Sequence, residues 1–147
     1  MRESDLDKLV ERSFDQMFRQ FGFIDRIWTE YVRDANGRQL ALQNGMPDFS
    51  GCLLGRHIEI EDKVYPNGPK TSQWARGKRV NRHGGVYVFI VSTRDGIMLV
   101  HPQYIIVSEK FSYTDVSKWE RLKVIGQILD LSPLIKLVGE LNVPQSR

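Results

Sequence analysis

The sequence predicts an α/β protein in which a mixed central sheet is flanked by helices. Three observations carry this. Residues 3 to 20 and the residue after them place Leu6, Leu9, Val10, Phe14, Met17, Phe18 and Phe21 at the i, i+3, i+4, i+7 spacing of one helix face. Residues 48 to 63, DFSGCLLGRHIEIEDK, read as two strands folded about Leu54-Gly55-Arg56. Residues 86 to 93, VYVFIVST, are a continuous apolar run of the kind found in a strand covered on both faces.

The remaining elements follow in order. Gly22 stops the first helix, and FIDRIWTEYV, alternating and rich in β-branched and aromatic residues, reads as a first strand. The dipeptide Asn36-Gly37 then marks a hairpin or bend into RQLAL. After the two strands of residues 48 to 63, the cluster YPNGP is a turn. Ser72 or Thr71 caps a helix through QWARGKRVNRHGG, ended by Gly84-Gly85. RDG leads from the apolar strand into IMLVHP, a further strand. Beyond it, Thr114 or Asp115 caps a helix with Val116, Trp119, Leu122, Ile125 and Ile128 on one side, and Ser132-Pro133 opens another short helix. The core order is helix, three strands, helix, strand. The 147 residues are read as one domain, with a core over about 3–93 and an accessory part over about 97–147 whose extra helices form a cap or an oligomer surface.

Composition excludes several classes. Hydrophobic residues at 41% and charged residues at 27% are ordinary for a globular chain and argue against a disordered or fibrous one. The one cysteine, Cys52, has no intramolecular disulfide partner, and no Cys/His spacing suits zinc, which points to a reducing compartment. The N-terminal residues MRESDLDKLVERSFDQMF contain no apolar signal region, and no apolar run is long enough to span a membrane, so the expected location is cytoplasmic. The net charge of +3 decides little, but Lys70, Arg76, Lys78, Arg79 and Arg82 fall in one short helix beside His83. Such a stripe is a footprint for phosphate, with a solvated helix face as the alternative. His57 and His83 are read as surface residues, and Trp28, Trp74 and Trp119 as core or interface.

The chemistry is concentrated in residues 45 to 73. Strand alternation puts His57, Glu59, Glu61 and Lys63 on one face, and Ile58, Ile60 and Asp62 on the other. A hairpin centred between Leu54 and Gly55 sets Asp48 opposite Glu61; a centre one residue later sets Asp48 opposite Lys63. Facing carboxylates repel unless a positive charge lies between them. Mg²⁺, with Mn²⁺ able to substitute, meets that need with few carboxylates and open positions for water and phosphate. Asp48, Glu61 and the backbone carbonyl of Asp62 offer a partial ligand shell, with Lys63 placed to offset charge developing on a phosphodiester.

Gly45-Met46-Pro47-Asp48, then Glu61-Asp62-Lys63, then Gln73 at the start of a basic helix, resemble the PD-(D/E)XK nuclease superfamily. Within it they are most similar to the VRR-NUC group and to Holliday junction resolvases. The resemblance covers residues 3 to 93 and implies a restriction-endonuclease-like core. It implies that Asp48 and Glu61 are metal ligands, that Lys63 is the catalytic lysine, and that Gln73 orients the lysine or a phosphate. A helix glutamate completes the site in many members; Glu3, on the Leu6 and Val10 face, and Glu11 are both candidates here. The ten residues from Lys63 to Gln73 favour Glu61-Asp62-Lys63 over Glu59-Ile60-Glu61 as the reactive triplet. The middle position of that triplet is usually apolar. Asp62 there requires either a distorted strand end or a partner for its side chain.

The resemblance implies a Mg²⁺-dependent endonuclease acting on DNA in a microbial or phage-infected cell. No base-reading module accompanies the core, so selection of branched DNA by shape, as of a four-way junction, is expected over selection by sequence. Two symmetric cuts in a junction call for a two-fold homodimer. Trp119, Ile125, Ile128 and Leu129 offer an interface for it, or pack on their own core. The alternatives are a non-catalytic DNA-binding or assembly module on the same fold, and a sequence-specific restriction-type enzyme.

Overall fold

The computed structural model describes residues 1–28, 31–41, 46–106, 112–113 and 119–141. Helix α1 (Glu3–Phe18) is followed by strand β1 (Gly22–Arg26). Strands β2 (Tyr31–Arg33) and β3 (Gln39–Ala41) form a separate hairpin. Its turn is held by Asp34, whose Oδ1 accepts from the Asn36 and Arg38 N–H groups at 2.9 Å each. Strands β4 (Phe49–Leu53) and β5 (Arg56–Val64) come next, then helix α2 (Thr71–Arg82) and strands β6 (Val86–Thr93) and β7 (Gly96–Val100).

One six-stranded sheet organises the chain in the order β1-β4-β5-β6-β7, closed at its far edge by β10 (Glu120–Leu122). Only β5 and β6 run parallel; every other neighbour is antiparallel, so the sheet is mixed, as predicted. The β4–β5 register pairs Phe49 with Ile60 and Leu53 with Arg56. That centres the hairpin between Leu54 and Gly55, the first of the two registers considered. Both turn residues have positive φ, 52° and 75°, the geometry that matches the twist of a two-residue hairpin.

Each face of the sheet carries a helix because β6 is apolar on both sides. On one face Leu6, Val10, Phe14 and Phe18 of α1, all at most 3% exposed, pack against Ile58, Ile60, Val88 and Ile90. Burying each such side chain is worth about 1.5–3 kcal/mol, so the first turn of α1 is firmly seated over the end of β5. On the other face α2 lies close to the sheet at Gly77, where a Cβ would come within 2.7 Å of the Tyr87 ring. That approach explains a glycine in mid-helix despite its cost of about 1 kcal/mol relative to alanine.

The C-terminal part departs from expectation. The predicted helix with Trp119, Leu122, Ile125 and Ile128 on one side is absent over its described residues; its cap, Thr114 or Asp115, and Val116 lie outside them. Residues 119–129 instead form β10, β11 (Val124–Ile125) and β12 (Ile128–Leu129). The spacing of those apolar residues is satisfied another way. Leu122 pairs with Ile97 on the open edge of β7, and Gly126, at φ 62°, turns β11 back on β12. Unpaired N–H and C=O groups along β7 offer a partner that local helix propensity cannot match. Helix α3 (Ser132–Leu141) begins where predicted, and its Leu134 and Val138 join the core under α1. Ser13 Oγ of α1 accepts from the Leu129 N–H at 2.8 Å, and Arg12 donates to the Gln127 carbonyl at 2.8 Å. Trp119 and Leu129 therefore pack on this chain's own core, while Val124 and Ile125 stay about 60% and 59% exposed. The short strands β8 (Ile105–Ile106) and β9 (Ser112–Tyr113) pair beside a 3₁₀ turn at Pro102–Tyr104. No helix among the described residues is long and apolar enough to cross a membrane.

Candidate active site

The register that sets Phe49 against Ile60 places Asp48, one residue before β4, across from Glu61. The backbone locks this pairing. The Asp48 N–H donates to Glu61 Oε2 at 2.9 Å, and the Asp62 N–H donates to Asp48 Oδ2 at 2.8 Å. From α1, Glu3 reaches the same point, so that one carboxylate oxygen from each of Glu3, Asp48 and Glu61 lies within 4.8 Å of the other two. Glu11 is exposed on the helix and stays away; the choice between the two glutamates falls on Glu3.

Lys63, only 6% exposed, sets its Nζ 3.3 Å from Glu61 Oε1. Gln73, on the first turn of α2, donates from Nε2 to the same Oε1 at 2.8 Å and accepts at its own Oε1 from the Lys70 N–H at 2.9 Å. Its carbonyl thus helps cap the helix start at Lys70, in place of the Ser72 or Thr71 side chains expected to do so, while its amide orients Glu61. These side chains face a cleft of about 440 Å³, also lined by Ile27, Pro47, Asn67, Gly68 and Lys70. Gly45, first residue of the sequence motif, lies outside the described residues.

The electrostatics are those of uncompensated negative charge. Burial pushes Glu61 up to about 8, the Asp48 charge adds to the shift, and Lys63 only partly opposes it. Asp48 is raised to about 6, again first by burial, with the Asp62 N–H pulling the other way. Glu3 is raised by burial against the pull of Lys63. Three oxygen-donor carboxylates around one ammonium suit a hard divalent cation, which would supply the missing positive charge. The donor set fits Mg²⁺ or Mn²⁺.

The opposite face of β5 resolves the anomaly of the central triplet residue. Asp62 is fully buried under α1 without strand distortion, beside Asp7, itself 2% exposed. Burial first, and then the neighbouring Asp7 and Asp48 carboxylates, push Asp62 well above the usual carboxylate range. Arg26 Nη1 closes the group with an ion pair to Asp7 Oδ2 at 2.7 Å. Asp7, Asp62 and Asp48 also bring carboxylate oxygens within 4.8 Å of one another, so the buried group sits directly behind the cleft. Sequence reading missed Asp7 and Arg26. The available signal was that Asp7 lies four residues after Glu3, on the same helix face.

The basic helix divides in two. Arg76 forms an ion pair with Glu59 through two contacts, Nε to Oε1 at 2.9 Å and Nη2 to Oε2 at 2.8 Å. Lys70, Lys78, Arg79 and Arg82 are exposed, Lys70 on the cleft and Arg79 on a neighbouring pocket that it shares with His57 and His83. Lys78 Nζ lies 4.1 Å over the Trp74 ring. Of the tryptophans, Trp119 is buried and Trp74 half-buried, its Nε1 donating to the Pro102 carbonyl at 3.0 Å. Trp28 is not a core residue: it is 75% exposed, next in the chain to Ile27 of the cleft lining.

The mixed sheet with a helix on each face makes a restriction-endonuclease-like fold, with the Asp-Glu-Lys set across its β4–β5 hairpin. Among solved structures, the chain is similar to Hjc of Archaeoglobus fulgidus, a Holliday junction resolvase from an archaeal hyperthermophile. The TM-score is 0.51 at 11% identity, over 93% of this chain and 97% of that one. At that identity the likeness is one of fold, and it runs past residue 93 into the C-terminal part. No family model matches the chain, and no curated protein is similar to it in sequence.

Proposed function

We propose that this chain is a single-domain, Mg²⁺-dependent endonuclease that hydrolyses DNA phosphodiester bonds, with Mn²⁺ as a substitute, and that it selects branched DNA such as a four-way junction. The observation that carries this reading is the convergence of Glu3, Asp48, Glu61 and Lys63 on one open cleft, on a fold shared with a junction resolvase. Glu3, Asp48 and Glu61 would hold the cation, with the Asp62 carbonyl as a further donor. When bound, the cation supplies Lewis-acid stabilisation of charge on the phosphodiester. The Lys63 ammonium, fixed beside Glu61, offsets negative charge that builds on the phosphate oxygens, a role worth about 10²–10³ in rate for one such group. Gln73 keeps Glu61 in its ligating orientation, and the Asp48 and Asp62 N–H groups hold the carboxylates without occupying every oxygen.

Lys70, Lys78, Arg79 and Arg82 would contact the DNA backbone without reading sequence, whereas Arg76 acts through Glu59. Symmetric cutting of a junction calls for a homodimer in the cytoplasm of the producing or infected cell. Labelled four-way junction, flap and linear duplex of matched sequence, each with Mg²⁺, Mn²⁺ or EDTA, test the proposal. The expected result is metal-dependent cutting of the branched substrates that Lys63→Ala abolishes. Binding of the junction with no cutting under either metal would overturn the catalytic reading.

A further inference from the structure

Trp28 is the most exposed large hydrophobic side chain among the described residues, at 75%, and nothing in the chemistry above uses it. Its position is not arbitrary. The Ile27 N–H donates to the carbonyl of Asp48, a proposed metal ligand, at 2.8 Å, and Ile27 lines the cleft, so Trp28 is the residue next along the chain from that backbone contact. Its indole is also held from one side. The Arg26 guanidinium lies 4.7 Å from the ring centroid, and Arg26 is itself pinned by the buried Asp7 at 2.7 Å. A cation over one face of an indole fixes its orientation and leaves the other for a second planar partner.

Resting on the nuclease reading, we infer that Trp28 is a stacking platform for a nucleobase left unstacked at the branch point of the DNA. The phosphate belongs in the cleft beside Lys63 and Lys70, and the flanking base falls toward the indole. Bases inside a continuous duplex are already stacked and present no free face. At a branch point the stack is interrupted, and an aromatic surface replaces a lost neighbour whatever the base. The platform therefore discriminates by DNA structure, not by sequence, and it does so without any added base-reading element.

The test uses the full chain in Ca²⁺, to hold DNA without cutting, with a four-way junction carrying 2-aminopurine at the branch point and a linear duplex carrying it internally. Wild type, Trp28→Ala and Trp28→Phe are compared by anisotropy and by 2-aminopurine emission. Trp28→Ala should weaken junction binding about 5- to 150-fold, the range for one base–aromatic stack, and leave duplex binding nearly unchanged. The quenching of 2-aminopurine should vanish with it, and Trp28→Phe should retain most of both. Unaltered junction affinity and quenching in Trp28→Ala would overturn the platform and leave the nuclease reading standing. Equal losses on junction and duplex overturn the branch-point assignment. Failure of the wild type to bind either DNA overturns both readings. A shift from dimer to monomer in Trp28→Ala without DNA, seen by sedimentation, overturns the platform in favour of a contact with a second copy of the chain.

Discussion

Glu59 and Glu61 lie two residues apart on the same face of β5, and both are buried, at 1% and 3% exposure. Their environments drive them in opposite directions. Burial works against Glu59 as well, yet the Arg76 guanidinium and then His57 outweigh it and hold the carboxyl below its ordinary value. Glu61 has one ammonium, Lys63, facing it among two further carboxylates, and rises to about 8. The first is a finished ion pair and the second an unfinished one. What separates the two is therefore not burial but a counter-charge of the carboxylate's own, and the proposed metal ligand is the one that shares its counter-charge with other carboxylates.

The contrast breaks most sharply at Glu61. Replacing it by glutamine should cut cleavage by about 10²–10³-fold or more, since the cleft loses a ligand and Lys63 its partner. The metal-free protein should at the same time become more stable at neutral pH, because folding no longer has to draw a proton onto this buried carboxyl. Cleavage assays and thermal melts in EDTA on one preparation check both halves. At Glu59 the same logic inverts. Arg76→Ala leaves that carboxylate buried beside His57 and should cost about 3 kcal/mol, the low end for breaking a buried pair because Arg76 reaches solvent. Denaturant unfolding at pH 7 measures it, and a loss below 1 kcal/mol would refute the finished-pair description.

Gln73→Leu sharpens the comparison by removing a donor to Glu61 without touching the carboxylates. Loss of such a supporting contact should weaken Mn²⁺ binding about 10- to 100-fold by calorimetry, with little change in fold.

The pH dependence follows from the signs of the shifts. A group whose folded pKa is raised binds more protons in the native state, so stability is highest below the unfolded pKa and declines as pH rises through the folded one. For Glu61 that window runs from about 4.5 to about 8, with Asp48 adding a decline up to about 6. Glu59, held low, does the reverse: its contribution is present above 4.5 and fades only as pH falls through its depressed value. In EDTA the melting temperature should therefore fall between pH 5 and pH 8. Glu61→Gln should flatten that slope, and Mg²⁺ should do the same by replacing the proton. A melting temperature that climbs over this interval in EDTA would contradict the assignment. The smallest contrast is between Glu3→Gln, which should weaken Mn²⁺ binding measurably, and Glu11→Gln, which should leave it within error.

Much of this site was legible before any coordinates. Alternation along residues 57 to 63 and the two-residue turn at Leu54-Gly55 required Asp48 to face Glu61 once the hairpin centre was chosen, and the observed register made that choice. The buried group behind the cleft was not legible, because Asp7, Arg26 and Asp62 come from three elements far apart in sequence. Nor were β10, β11 and β12. Leu122, Ile125 and Ile128 satisfy a helical period, and nothing local in the sequence shows that β7 has an open edge waiting for a strand.

By itself, then, the sequence determined what depends on neighbours along the chain. These are the amphipathic α1, the β4–β5 hairpin, the start of α3, and the Asp48, Glu61, Lys63 and Gln73 set carried on adjoining strands and the next helix. Tertiary structure alone brought Glu3 and not Glu11 beside Asp48 and Glu61, paired Arg76 with Glu59, buried Asp62 against Asp7, and left Trp28 in solvent. The physical reason is range. Periodicity and turn chemistry act over a few residues, whereas burial and counter-charge are set by whichever distant element packs alongside.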